Sequence, residues 1–292
     1  MEKIRKIIKI LPFLIYMYLF FLYGIYYVVM TSFGYNRIIG KNGFTLEYYR
    51  ELILSREFLE NLRYTVKINF FTGVISLLLA VVFLYLIHIN RNSKYLGKFF
   101  KKILEFPVGV SYLTGAYALV LLLSRGGVIG SYLVKLGVIE SIKEFPILIN
   151  DNYGVGIILG YIWKVVPFMV MMCIPMMVDI ERKWRDLGTL YNLTEYNFFK
   201  KIIFPMILPT LSLSFFLVLA YLFSAFETSY ILGVTYPRTL SVQMYELYRE
   251  GDIELRGKVM AINVIVTLIA LTISFISYLT MKYLMKFKER EW

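Results

Sequence analysis

The chain has 292 residues, of which 59% are hydrophobic and 17% aromatic, and its mean hydropathy is +0.64. That is too apolar for a soluble domain of this length. The formal charge of +12 suggests nucleic acid at first sight, but the cations flank long apolar runs and read as membrane-border charges. One cysteine, Cys173, and one histidine, His88, exclude a disulfide framework and a Cys/His metal cluster.

The first residues, through Lys9, are basic, and Ile10–Met30 then carries no charge over 21 residues. This is longer than a secretory h-region and no small-x-small cleavage site follows, so the expectation is an uncleaved first transmembrane helix. Runs near 66–87, 104–124, 153–177, 205–231 and 259–282 are also long enough for about 30 Å of hydrocarbon. The expectation is an all-α polytopic membrane protein with six spans in one transmembrane domain, residues 1–292. With the amino terminus inside, the inner segments hold more Lys and Arg than the outer loops, and the outer loops hold 11 of the 20 acids. The positive-inside rule then puts both termini and the loop 178–204 in the cytoplasm. In the outer loop 31–62, two amphipathic stretches, 44–50 and 57–61, read as short helices on the membrane surface, and Val128–Leu136 as another.

The loop 178–204 differs from everything around it. Trp184, Leu187, Leu190 and Tyr191 share one helix face. Asn192 suits a left-handed cap, Thr194 can open a second helix, and Glu195 lies in that helix's first turn. Phe198, Phe199, Ile202 and Ile203 supply an apolar side, and Pro205 and Pro209 punctuate the next span. The prediction is a helix–turn–helix knob on the membrane surface.

This segment resembles the coupling loop of permease subunits of binding-protein-dependent ABC importers, whose signature is Glu-Ala-Ala, three residues, Gly, a spacer and Leu-Pro. Aligned on Pro205, Asp186 falls at the Glu, Leu187 and Gly188 at the two Ala, Asn192 at the Gly, and Phe204-Pro205 at the Leu-Pro. Tyr48-Tyr49-Arg50, Asn150 to Gly154, Tyr161 to Phe168, Ser224 to Glu227 and Pro237 to Val242 are similar to the polyamine/thiamine/ferric-iron/sulfate-type branch of type I importers. The resemblance implies a coupling helix between spans four and five. It also implies a second permease subunit, two ATPase subunits carrying ATP and Mg, and an extracytoplasmic binding protein at a bacterial inner membrane. The partner permease is expected to be non-identical and the solute small and polar, such as a polyamine. The alternatives are a sugar-type permease of the same fold or an ion-coupled secondary transporter. No G-x-x-x-x-G-K-[ST] loop occurs, so the chain is not expected to bind ATP or act as an enzyme, and no catalytic or metal-binding residue is assigned.

Four residues in the spans stand out. Lys164 lies near mid-membrane, where a cation faces a bundle interior or an aqueous cavity. It can meet solute, or anchor helices through an acid or backbone carbonyls. Glu227 in the fifth run has the same two readings, or is interfacial. Trp163 can line the cavity or pack in the bundle. Glu105 reads as a surface or capping carboxylate.

Overall fold

In a computed structural model, residues 10–35, 40, 43–91 and 93–290 are described, and among them every regular element is a helix. Six helices among the described residues are long and apolar enough to cross a membrane. With no water in the hydrocarbon core, helices that satisfy their own backbone are what can span it, and the protein is a multi-pass membrane protein. The amino-terminal nine residues lie outside the described residues.

The chain divides into two compact units, residues 1–62 with 240–268, and 63–239 with 269–292. In the first, α1 (Ile10–Ser32) contains a π-helical turn at Met17–Leu22, and its apolar side chains are exposed, as a lipid-facing helix requires. The surface helix expected at 44–50 is α2 (Glu47–Leu54). The stretch 57–61 is different: it is the first turn and a half of α3 (Arg56–Ile89), continuous with the second span. Charge at 56–60 marked the membrane border, and nothing there breaks a helix. Leu52 and Phe58 pack with Leu240 of α10 (Leu240–Arg249) and with Ala261 and Ile262 of α11 (Arg256–Arg290). Gly257 lies against the Tyr48 ring, where no Cβ fits, and Lys258 reaches Glu51 at 2.7 Å.

The second unit is built on α7 (Val155–Leu190). Its buried stripe runs through Ile157, Tyr161, Val165, Met169, Cys173, Met177 and Ile180 to Gly188. At 1.5 Å per residue its 36 residues extend about 54 Å, well beyond the hydrocarbon core. The expected boundary at residue 177 is therefore a membrane border and not a helix end. Asp179 pairs with Arg182 at 2.6 Å and Lys183 at 2.7 Å along the same helix face. Asp151 opens α7, accepting from Tyr153 and Gly156 backbone N–H groups at 3.0 and 3.3 Å.

Two further spans differ from the apolar runs. The run 104–124 is not one helix: α4 (Lys94–Gly109) ends just after Pro107, and α5 (Tyr112–Leu123) begins with Ser111 accepting from the Thr114 N–H at 3.1 Å. α6 (Val128–Lys135) follows. The run 205–231 is also interrupted. α8 (Glu195–Ser224), with a π-helical turn at Phe199–Ile203, stops before the extended Ala225, and α9 (Glu227–Leu232) starts afresh. Hydropathy averages over both interruptions because the residues within them are themselves apolar or small.

Candidate functional site

The knob forms where α7 ends and α8 begins. Asn192 adopts φ 50°, its N–H donates to Thr189 O at 3.0 Å, and the Leu193 N–H donates to Gly188 O at 2.9 Å. This is a Schellman closure with asparagine at the left-handed position. Thr194 then caps α8 by accepting from the Asn197 N–H at 3.3 Å. The first knob helix is thus the end of the fourth span itself.

The two sides of the knob differ. Gly188 is buried, and a Cβ there would stand 2.5 Å from the Phe198 ring. Phe198, Phe199 and Ile203 are buried, and Trp184 and Ile202 pack against them. On the other side Leu187 is 43% exposed, Leu190 73% and Tyr191 74%. Asp186 is exposed beside them. These positions lie outside the apolar stripe of α7, so the tip leaves apolar side chains uncovered. Pro205 stands in the first turn of the helical segment Phe204–Ser224 that follows the π turn.

Beneath the tip lies a charged cluster that sequence reasoning missed. His88, next to last in α3, has a fully buried side chain. Its Nδ1 hydrogen-bonds Glu181 of α7, and its Nε2 is 3.1 Å from a Glu195 oxygen, an ionic contact rather than an aligned hydrogen bond. The ring stacks on Phe198 at 5.9 Å. Arg91 grips Glu195 with both terminal nitrogens, at 2.8 and 3.0 Å, and Arg185 binds the same carboxylate while lying over the Phe198 ring. One carboxylate at the start of α8 thus gathers cations from the turn after α3 and from α7. The sequence signal was a lone histidine three residues before an arginine at the end of a span.

In the spans, Lys164 is 7% exposed and donates from Nζ to Pro107 O at 2.6 Å and to Val110 O. These carbonyls are left without helical partners where α4 ends, and the ammonium also stands 4.7 Å from the Tyr112 ring centre. Both hydrogen bonds of the ammonium are thus to backbone carbonyls. No ion pair joins it to Glu227, which is exposed at the start of α9. Trp163 covers Gly115 of α5 and meets Phe106 of α4 edge-on at 6.2 Å, a packing role. Beside Lys164, Tyr112, Val165, Phe168, Leu217, Val218 and Tyr221 line a hollow of about 210 Å³, with the Tyr112 and Tyr221 rings 5.2 Å apart. Glu105 borders a second hollow of about 440 Å³, between α4 and α7.

No family model and no curated protein matches the sequence. Solved structures do match the fold. A chain of a bacterial ABC transporter involved in the import of the acidic polysaccharide alginate superposes with a TM-score of 0.75 at 17% identity, covering 97% of this chain and 98% of that one. The fold is that of a membrane subunit of an ABC importer. A second match is a chain of the bacterial alginate ABC transporter in complex with its alginate pentasaccharide-bound periplasmic protein. It has a TM-score of 0.74 at 18% identity and covers 94% of each chain. Neither match supports the polyamine/thiamine/ferric-iron/sulfate branch suggested by the sequence.

Proposed function

We propose that this chain is a permease subunit of an ATP-driven importer and that its solute is a saccharide. The whole-length likeness to chains of an alginate ABC transporter carries the reading. The exposed Leu187–Leu190–Tyr191 tip, fixed to the end of a span, supports it as an ATPase-docking knob. In this reading the chain pairs with a second, non-identical permease subunit. Two separate ATPase subunits bind ATP and Mg²⁺ and seat on the knobs, and an extracytoplasmic binding protein delivers solute to the opposite face. Both termini and the knob are cytoplasmic, as the charge bias requires.

The part of this chain in the mechanism is mechanical. Closure of the ATPase pair pushes the tip, and α7 carries the push into the membrane because knob and span are one helix. The chain performs no bond chemistry. The Tyr112, Phe168 and Tyr221 rings can stack on sugar faces, and the nearby Lys164 ammonium would repel a polycation.

The test is co-purification and uptake. The tagged chain should bring down ATPase and partner permease subunits. Proteoliposomes of that complex, with its binding protein, should take up labelled acidic oligosaccharide only with MgATP inside the ATPase compartment. Uptake of putrescine instead would overturn the saccharide reading, and uptake driven by an ion gradient without ATP would overturn the importer reading.

A further inference from the structure

The push described above enters the membrane through α7. The structure ties the knob to a second span as well. Tyr85 and His88 of α3 and Arg91 of the turn after it recur every third residue and so share one face. That face meets the first turns of α8. The Tyr85 ring lies edge-on to Tyr196 at 6.1 Å and to Phe199 at 5.1 Å, and the His88 ring stacks on Phe198.

Arg91 closes the contact. Its guanidinium donates to His88 O, in the last turn of α3, at 3.1 Å. The same planar group grips both oxygens of Glu195, Nη1 at 2.8 Å and Nη2 at 3.0 Å. One side chain therefore joins the end of α3 to the first turn of α8. Arg185 holds the same carboxylate from α7, so Glu195 is gripped from two spans. A two-point fork fixes angle as well as distance, which an ammonium does not. The Arg91 and Glu195 side chains are 20% and 44% exposed. Ion pairs this open to water add little to stability, so what the fork chiefly fixes is geometry.

We propose that Arg91 is a positioning residue for coupling. Through Glu195 it fixes the second half of the knob to the second span, and the push on the tip is shared between α7 and α3. Arg91 acts on neither solute nor nucleotide. The proposal rests on the permease reading above.

The test uses the full complex in lipid nanodiscs. Spin labels go on Leu78→Cys of α3 and Lys201→Cys of α8, both exposed positions, in a Cys173→Ala background. The distance between the labels should be sharp, and should stay the same when MgATP and vanadate trap the closed ATPase pair. Arg91→Gln should broaden it and let it shift on trapping. The second arm measures uptake of labelled acidic oligosaccharide per ATP hydrolysed in proteoliposomes. Arg91→Gln should lower this ratio about fivefold, with Arg91→Lys in between. Glu195→Gln should do at least as much harm, and adding Arg91→Gln to it should do no more, because both act through one contact. A packing role alone would lower the amount of complex and leave the distance and the ratio unchanged, and that result would overturn the proposal. If Arg91→Gln does not accumulate, Arg91→Lys, which keeps the charge and loses the fork, decides by the same distance. Absence of uptake by the wild type would sink the saccharide reading, and absence of any ATPase subunit on it the permease reading. In both cases the breadth of the distance still decides whether Arg91 fixes the knob to α3.

Discussion

Lys164→Met separates an anchoring lysine from a transporting one. The ammonium gives two charge-assisted hydrogen bonds to Pro107 O and Val110 O, at the point where α4 stops and α5 begins. Methionine keeps the length of the side chain and removes both donors. Each bond to a charged group contributes about 1.5–3 kcal/mol, and the carbonyls would be left unpaired away from water. Against this, the variant no longer buries an ammonium, which recovers part of the loss. The net expectation is a destabilisation of about 2–4 kcal/mol, or roughly 5–10 °C in apparent melting temperature for a unit of about 200 residues. The assay is a thermal melt of the purified permease in detergent, followed by intrinsic fluorescence, with protein level in membranes as a check. Glu227→Gln should melt like wild type, and Lys164→Glu with Glu227→Lys should be no better than Lys164→Glu alone. A normal melt for Lys164→Met, or recovery by the double reversal, would refute the reasoning.

Gly188→Val should force the Phe198 ring aside, costing about 1–3 kcal/mol of local packing, and should lower ATPase binding while the protein still inserts; unchanged binding in a pull-down would count against the packing. Leu190→Ala, at an exposed tip position, should leave the melt of the free permease unchanged yet weaken ATPase binding by about 2 kcal/mol, roughly 30-fold, by titration calorimetry; Leu187→Ala should do less, since more of that side chain is already covered. Reporter fusions after Leu46 and Leu136 should report the outer side and fusions after Ser93 and Leu193 the inner side, and reversed signals would overturn the charge argument.

The sequence by itself determined what local chemistry determines. Apolar run length sets the number of spans, because a helix must match the bilayer. The turn at Asn192 and the cap at Thr194 were legible because both are contacts within a few residues. Three things belonged to the tertiary structure. The interruptions at 110–111 and 225–226 fall among apolar or small residues, so hydropathy passes over them, and only the Lys164 ammonium and the Tyr161 hydroxyl, which donates to Ala225 O at 3.3 Å, reveal them. The continuity of α7 into the knob was hidden because a rise in charge marks the border of the membrane and says nothing about where a helix ends. The His88 cluster was out of reach for another reason. Glu181 lies 93 residues from His88 in sequence, and Glu195 lies 104 residues from Arg91. No spacing rule connects such residues; only the packing of α3 against the start of the knob brings them together.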